Sequence, residues 1–195
     1  MQRTEDPIRE GYDQVLDWVI DNASIGSDTS VLELGSGTGN LTERIKECDR
    51  IACVDISTRM NDLDESKVAH LANREFVISD VLEYVASVQK TFDTIISTYT
   101  LHHLTEEEKM SFLEAAVARL TSGGCLAVGD LMTESAKGEA ESIAYYRSIR
   151  DSDTAEEMEE EFFWYVDTAA GKLSSLGLTV ETTRFSRLSW GIKAL

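Results

Sequence analysis

Residues 31–45 read VLELGSGTGNLTERI, and Gly35, Gly37 and Gly39 alternate directly behind a short apolar run containing one acid, Glu33. Glycines in such a place let a backbone approach a ligand closely. Three ligand classes fit: a nucleoside triphosphate, a dinucleotide, or another adenosine-containing molecule. A phosphate-binding loop needs Lys and then Ser or Thr after its last glycine. Here Asn40 and Leu41 follow Gly39, so a triphosphate site is excluded. A dinucleotide fingerprint needs G-x-G-x-x-G. Gly35 and Gly37 fit its start, but the position three beyond Gly37 is Asn40, and Gly39 comes one residue early. An acid two residues before the first glycine is no part of that rule either.

A second group of reactive side chains lies further on, in FDTIISTYTLHHL and GGCLAVGDLM. His102 and His103 follow an apolar run, and imidazole titrates near neutral pH. One of them could act as a general base or touch a substrate. The other reading is a structural hydrogen bond that closes the loop. Adjacent residues of an extended segment point to opposite faces, so at most one should face a site, and the pair should not share a metal. The remaining histidine, His70, lies in another segment. Asp130 could deprotonate a nucleophile or bind a cationic substrate; the preferred reading is a cap for the helix after it. No metal site is expected.

Short apolar runs that alternate with helical patterns must position these residues. Strand candidates are 30–35, 50–57, 74–80, 92–99 and 123–132, with helices through GNLTERIKE, TRMNDLDESKVAHLA and TEEEKMSFLEAAVARL. Thr105 should cap the last of these, with acids in its first turn. Before them, residues 1–24 carry an amphipathic helix, with Pro7 in its first turn and Ile8, Tyr12, Val15, Leu16, Val19 and Ile20 at helical spacing. Strand–helix alternation predicts a parallel sheet covered on both faces. The segment 133–176 reads as a mostly helical insertion. LTVETTRFSRLSWGIKAL then reads as two closely joined strands, which must be antiparallel.

The motif LELGSGTG resembles the first motif of class I, Rossmann-like S-adenosylmethionine (SAM)-dependent methyltransferases. CVDIS resembles the second, VISDVLEY the third and FDTIISTYTLHHL the fourth, while LTSGGCLAVGD resembles the turn into strand five. The resemblance runs through most of the chain. It implies a doubly wound seven-stranded sheet of order 3-2-1-4-5-7-6 with an antiparallel last strand. It also implies direct in-line methyl transfer from SAM, giving S-adenosylhomocysteine (SAH). Glu33 would position the amino group of the cofactor, Asp55 would hold the ribose hydroxyls and Asp80 the adenine amine. Gly35, Ser36, Gly37, Gly39 and Asn40 would form the loop, with Ile56 and Val81 beside the two acids and Ser97 and Tyr99 after strand four. Tyr12 and Asp13 are the possible equivalents of an aromatic–Tyr–Asp segment that covers the cofactor in relatives with longer N-termini. Catechol-type relatives use a metal held by acids and an Asn, and GDLMTES lacks that cluster.

The family places substrate-binding elements in the insertion, so Tyr146, Arg147 and Trp164 are substrate-side candidates. Their other reading is core packing at helical spacing. EEMEEEFF reads as a solvated helix face.

Formal net charge is -18, from 36 acids against 18 bases, and such a field repels nucleic-acid backbones and anionic membranes. The [DNS]PP[YFW] signature of nucleic-acid methyltransferases is absent, since the only proline is Pro7. Three cysteines, Cys48, Cys53 and Cys125, are an odd count with no close pair, as in a reduced cytoplasmic protein. The N-terminus is too charged for a signal peptide. The expectation is therefore a single-domain cytoplasmic enzyme of 195 residues, monomeric or homodimeric, that methylates a small-molecule acceptor with SAM. A non-catalytic SAM- or SAH-binding protein would keep the same three acids and lack an acceptor pocket.

Overall fold

The structure is a computed structural model and describes residues 6–58 and 67–195. Its centre is a sheet of strands β1 (Ser30–Leu34), β2 (Arg50–Asp55), β3 (Arg74–Ile78), β4 (Phe92–Thr98), β5 (Leu120–Thr133), β7 (Val180–Arg184) and β8 (Ser189–Ala194). The order is β3-β2-β1-β4-β5-β8-β7, and a two-residue strand β6 (Trp164–Tyr165) pairs with the end of β5. β1 to β5 run parallel, and β8 is antiparallel to both β5 and β7. With β6 set aside, this is the expected order.

The apolar runs become central strands because helices bury both faces of a parallel sheet. All five residues of β1 are buried. Leu32 and Leu34 point into one core with Ile95, Phe112 and Trp164. Val31, on the alternate face, points into the other, with Val19, Cys53 and Cys125. Helices α2 (Val81–Ser87), α3 (Glu106–Ala118) and α6 (Val166–Ser175) serve the first core, and α1 (Tyr12–Asn22) the second. A third, smaller cluster joins Leu131, Tyr146, Met158, Phe163 and Leu188 beneath α4 (Ala136–Ser148) and α5 (Ser152–Glu160). Among the described residues no helix is long and apolar enough to cross a membrane.

Several boundaries differ from the sequence reading. Gly11, in the left-handed region at φ 80°, separates α1 from a 3-10 turn at Pro7–Arg9, so Ile8 is not part of the helix. Residues 1–5 of the expected N-terminal helix lie outside the described residues. The helix expected through GNLTERIKE is only a 3-10 turn, Thr42–Arg44. Asp49 N already donates to Thr29 O (3.0 Å), so β2 begins too soon for more helix to fit. Part of the helix expected through TRMNDLDESKVAHLA, residues 59–66, also lies outside the described residues. Thr105 caps α3 in a reciprocal capping box with Glu108. The sequence reading has no counterpart of α2.

Candidate functional site

At the carboxyl end of β1 the chain turns sharply, with Gly35 N and Ser36 N both donating to Val54 O of β2 (2.7 and 3.1 Å). Two of the glycines are needed for different reasons. Gly35 has φ +78°, and a Cβ there would lie 2.0 Å from Thr100 Oγ1; it lets the loop pass beneath the segment after β4. Gly37 has φ +55°, and a Cβ there would meet nothing within 4 Å; its empty side faces the cavity that it lines. Asp55, ending β2, accepts from Gly37 N through Oδ2 and from Ser57 N through Oδ1 (both 2.9 Å). It therefore holds the loop and also lines the cavity.

The cavity has a volume of about 940 Å³. It opens at the carboxyl ends of the strands between β2 and β5, where open α/β sheets bind ligands. Tyr12 stacks on Tyr99 at 5.0 Å and its hydroxyl accepts from Asn40 Nδ2 (3.0 Å). Tyr99 sits at φ +47°, and burial pushes its phenol up to about 12. Ser36 Oγ is buried and has no hydrogen-bond partner among the described residues. A buried polar atom at a cavity wall with no internal partner points to a ligand.

The β5 end of the cavity is built from side chains. After β4 the chain forms a 3-10 turn, Leu101–His103. Asp130 is fully buried inside β5 and organises this turn. It accepts from Leu101 N (2.8 Å), Leu131 N (2.7 Å) and His102 Nδ1 (2.6 Å). Burial works against the imidazolium of His102, but the charge and hydrogen bond of Asp130 outweigh it and raise its pKa. Asp130 thus neither ends its strand nor caps a helix, because β5 continues to Thr133. The histidines do not alternate between faces either. A tight helical turn brings their ring centroids to 4.1 Å, and both line the cavity. His103 Nδ1 lies 3.4 Å from Glu161 Oε2.

Of the other predicted site residues, Gly35, Ser36, Gly37, Asn40, Ile56 and Tyr99 line the cavity with Tyr12 and Asp55. Glu33 is 1% exposed beneath the loop and accepts from Thr42 Oγ1 (2.6 Å). Asp80 caps α2, its Oδ1 accepting from Leu82 N and Glu83 N, and Val81 is buried in the core. Ser97 is buried and donates to Leu34 O (2.6 Å), tying β4 to β1. Neither Asp80, Val81, Ser97 nor Gly39 is among the lining residues.

None of the three substrate-side candidates lines the cavity. Trp164 is 1% exposed in the main core, and Tyr146 is buried in the small cluster under the insertion. Arg147 is exposed and pairs with Glu159 (2.7 Å). The insertion instead contributes Glu157 and Glu161 to the cavity wall, from the run read as solvated. Glu161 sits at the extended C-cap of α5. Phe162 N donates to His102 O (3.2 Å), and the buried Lys109 of α3 donates to the carbonyls of Phe162 and Phe163. Nothing in the sequence spacing signals this long-range stitch.

Residues 31–124 match a family described as a methyltransferase domain. An uncharacterized methyltransferase of Anoxybacillus flavithermus is 28% identical over 187 residues, spanning 95% of this chain and 84% of the relative. The uncharacterized methyltransferase YrrT of Bacillus subtilis is 28% identical over 186 residues, spanning 95% and 84%. Among solved structures, DhpI in complex with SAH superposes with a TM-score of 0.69 at 18% identity, covering 98% of this chain and 87% of that one. The N-methyltransferase NodS of Bradyrhizobium japonicum, also with SAH, gives 0.68 at 18% identity, covering 98% and 88%. With the glycine loop, the strand-end acids and the sheet order already in place, these matches agree with one another: the chain is similar in sequence to methyltransferases and has the Rossmann-like fold of solved structures that bind SAH.

Proposed function

We propose that this protein transfers a methyl group from SAM to a small-molecule acceptor and releases SAH. The observation that carries the reading is the cavity face made by Gly37, the unpartnered Ser36 hydroxyl and Asp55. These groups fit an adenosine ligand without phosphate: an open backbone surface, a free hydroxyl and a carboxylate.

In this reading Gly37 gives the ligand backbone to lie against, and Ser36 Oγ donates to it. Asp55 has spent one bond of each oxygen on the loop amides, and each oxygen keeps acceptor capacity for ribose hydroxyls. Glu33 acts from beneath the loop on the amino group, and Asp80 meets the adenine amine with the oxygen not used in capping α2. Tyr12 and Tyr99 close the side of the pocket. When bound, SAM supplies an already activated methyl group on a sulfonium, so the protein's main task is positioning.

The acceptor occupies the β5 end, against Leu131 and His102. Asp130 fixes the tautomer and orientation of His102 by taking the Nδ1 proton in a hydrogen bond, which directs Nε2 away from Asp130. Small acceptors suit this site, since the net charge of -18 opposes a polyanionic one. A single cytoplasmic domain, monomeric or dimeric, with the segment 133–176 over the acceptor side, completes the proposal.

Calorimetric titration with SAM, SAH and NADH tests it. Micromolar binding of SAM and SAH with none of NADH is expected, followed by acceptor-dependent release of SAH in a screen of small nucleophiles. Binding of NADH in competition with SAM would overturn the cofactor assignment.

A further inference from the structure

We propose that His102, His103 and Glu161 form a binding site for a divalent transition-metal cation, zinc being the first to test, at the acceptor end of the cavity. The donor atoms of these three residues all lie within 4.8 Å of one another. Two imidazoles and a carboxylate are a donor set for zinc and its first-row neighbours, and three protein ligands leave a position open for a substrate. Ligands about 2.0–2.1 Å from a tetrahedral zinc sit roughly 3.3 Å from one another. His103 Nδ1 and Glu161 Oε2 are already 3.4 Å apart. His103 is exposed, so its ring has room to close the remaining distance.

The surroundings are organised as a metal site requires. His102 gives Nδ1 to the buried Asp130 at 2.6 Å, which leaves Nε2 as its ligating atom. A carboxylate behind a ligating imidazole is the usual outer-shell partner, fixing the ring and raising its basicity. Glu161 comes from a distant part of the chain, and its position is locked. The bond from Phe162 N to His102 O joins the two ligand-bearing segments directly (3.2 Å). Lys109 holds the next two carbonyls from the far side. A surface ion pair between His103 and Glu161 and a loop-closing pair between His102 and Asp130 would each explain one contact. Neither explains why three donors from two segments converge on one wall of the cavity.

The role rests on the methyl-transfer reading above. An acceptor hydroxyl or thiol on the open position would lose its proton to solvent more easily, because the cation stabilises the conjugate base. Its lone pair would then form the new bond to the methyl carbon as the carbon–sulfur bond breaks, its electron pair returning to sulfur as a neutral thioether. The acceptor class is thus a small thiol or alcohol, whose nucleophile needs deprotonation.

The full chain, dialysed against chelator, is titrated with Zn²⁺ by calorimetry and with Co²⁺ by visible absorption, alongside His103→Ala and Glu161→Gln. Both variants change residues at the cavity wall, outside the hydrophobic core, and SAH is titrated into each as a check on folding. One equivalent of zinc is expected, weakened in both variants by at least the 10–100-fold that loss of an outer-shell partner costs, with SAH affinity kept. No saturable uptake by the unaltered protein, or undiminished uptake by both variants, overturns the site. If zinc binds as expected but SAH binds none of the three proteins, the methyl-transfer role falls and the metal site stands.

Discussion

At the β2 end of the cavity the wall is mostly main chain, held in place by short-range bonds, whereas at the β5 end it is side chains from segments far apart in sequence. Gly35, Ser36, Gly37 and Asp55 are joined through Val54 O and the Gly37 amide, all within 21 positions of one another. His102, Asp130 and Glu161 are joined through a buried carboxylate and the Phe162–His102 bond. The first end presents shape and a few polar groups. The second presents titratable and metal-ligating atoms. A family can keep the first constant for one cofactor and vary the second for many acceptors, because changing the insertion leaves the loop bonds untouched.

The largest test of that division falls on Trp164, a residue whose sequence position suggests the acceptor side and whose burial assigns it to the core. Trp164→Ala should cost about 3–5 kcal/mol of stability, as for other buried aromatics, measured by urea unfolding. SAH affinity in the folded fraction should stay unchanged. A variant as stable as the parent but slow in turnover would return Trp164 to the acceptor site.

The two glycines separate fold from ligand within the β2 end itself. Gly37→Val should weaken SAH at least about 100-fold, equivalent to about 2.7 kcal/mol, because its side chain enters the cavity. Gly35→Ala should instead lower the melting temperature, since its methyl meets Thr100 at 2.0 Å. Full SAH binding by Gly37→Val would mean that the loop is not the cofactor site. A loss of about 10–100-fold is expected for Asp55→Ala, taking the net change as that of one charge-assisted hydrogen bond, worth about 1.5–3 kcal/mol. Some of that loss comes from freeing the Gly37 amide. Unchanged affinity would remove the ribose assignment.

How much of this is legible in the sequence follows the same division. Glycine spacing and an acid at the end of each apolar run are local patterns, so the strands, their order through the resemblance, and the loop around Asp55 can be read. Asp80 can be read as a strand end but not as the cap of α2, because both readings place an acid after a β-branched run. The rule of alternating faces fails at the histidines because it assumes extended backbone, and the chain turns helical at Leu101. Tyr146 and Trp164 pass for wall residues in the sequence because helical spacing marks which residues share a face, not what that face meets. Glu161 is invisible there, since its placement depends on Lys109 and His102 more than 50 positions away.

The smallest effect should come from the opposite end of the strands, where Asp93 joins β1, β4 and β5 away from the cavity. Its carboxylate accepts from Ser30 Oγ (2.6 Å), Ser30 N (3.0 Å) and Thr121 Oγ1 (2.8 Å). The Ser30 hydroxyl leads these bonds in holding the carboxyl below the ordinary carboxylate range. A depressed value means that the unfolded chain takes up the proton before the folded one does. The stability it contributes is complete above the unfolded pKa of about 3.9, and is lost as pH falls through the folded value. Melting temperatures recorded from pH 6 down to pH 2 should therefore fall less steeply for Asp93→Asn than for the parent at the acid end. SAH affinity at neutral pH should be the same for both, because Asp93 lies at the end of the strands opposite the ligand. Parallel acid limbs would show that the three bonds do not distinguish the folded from the unfolded carboxyl. A change in SAH affinity would show that the two ends of the sheet are coupled, which the local bonding of the glycine loop argues against.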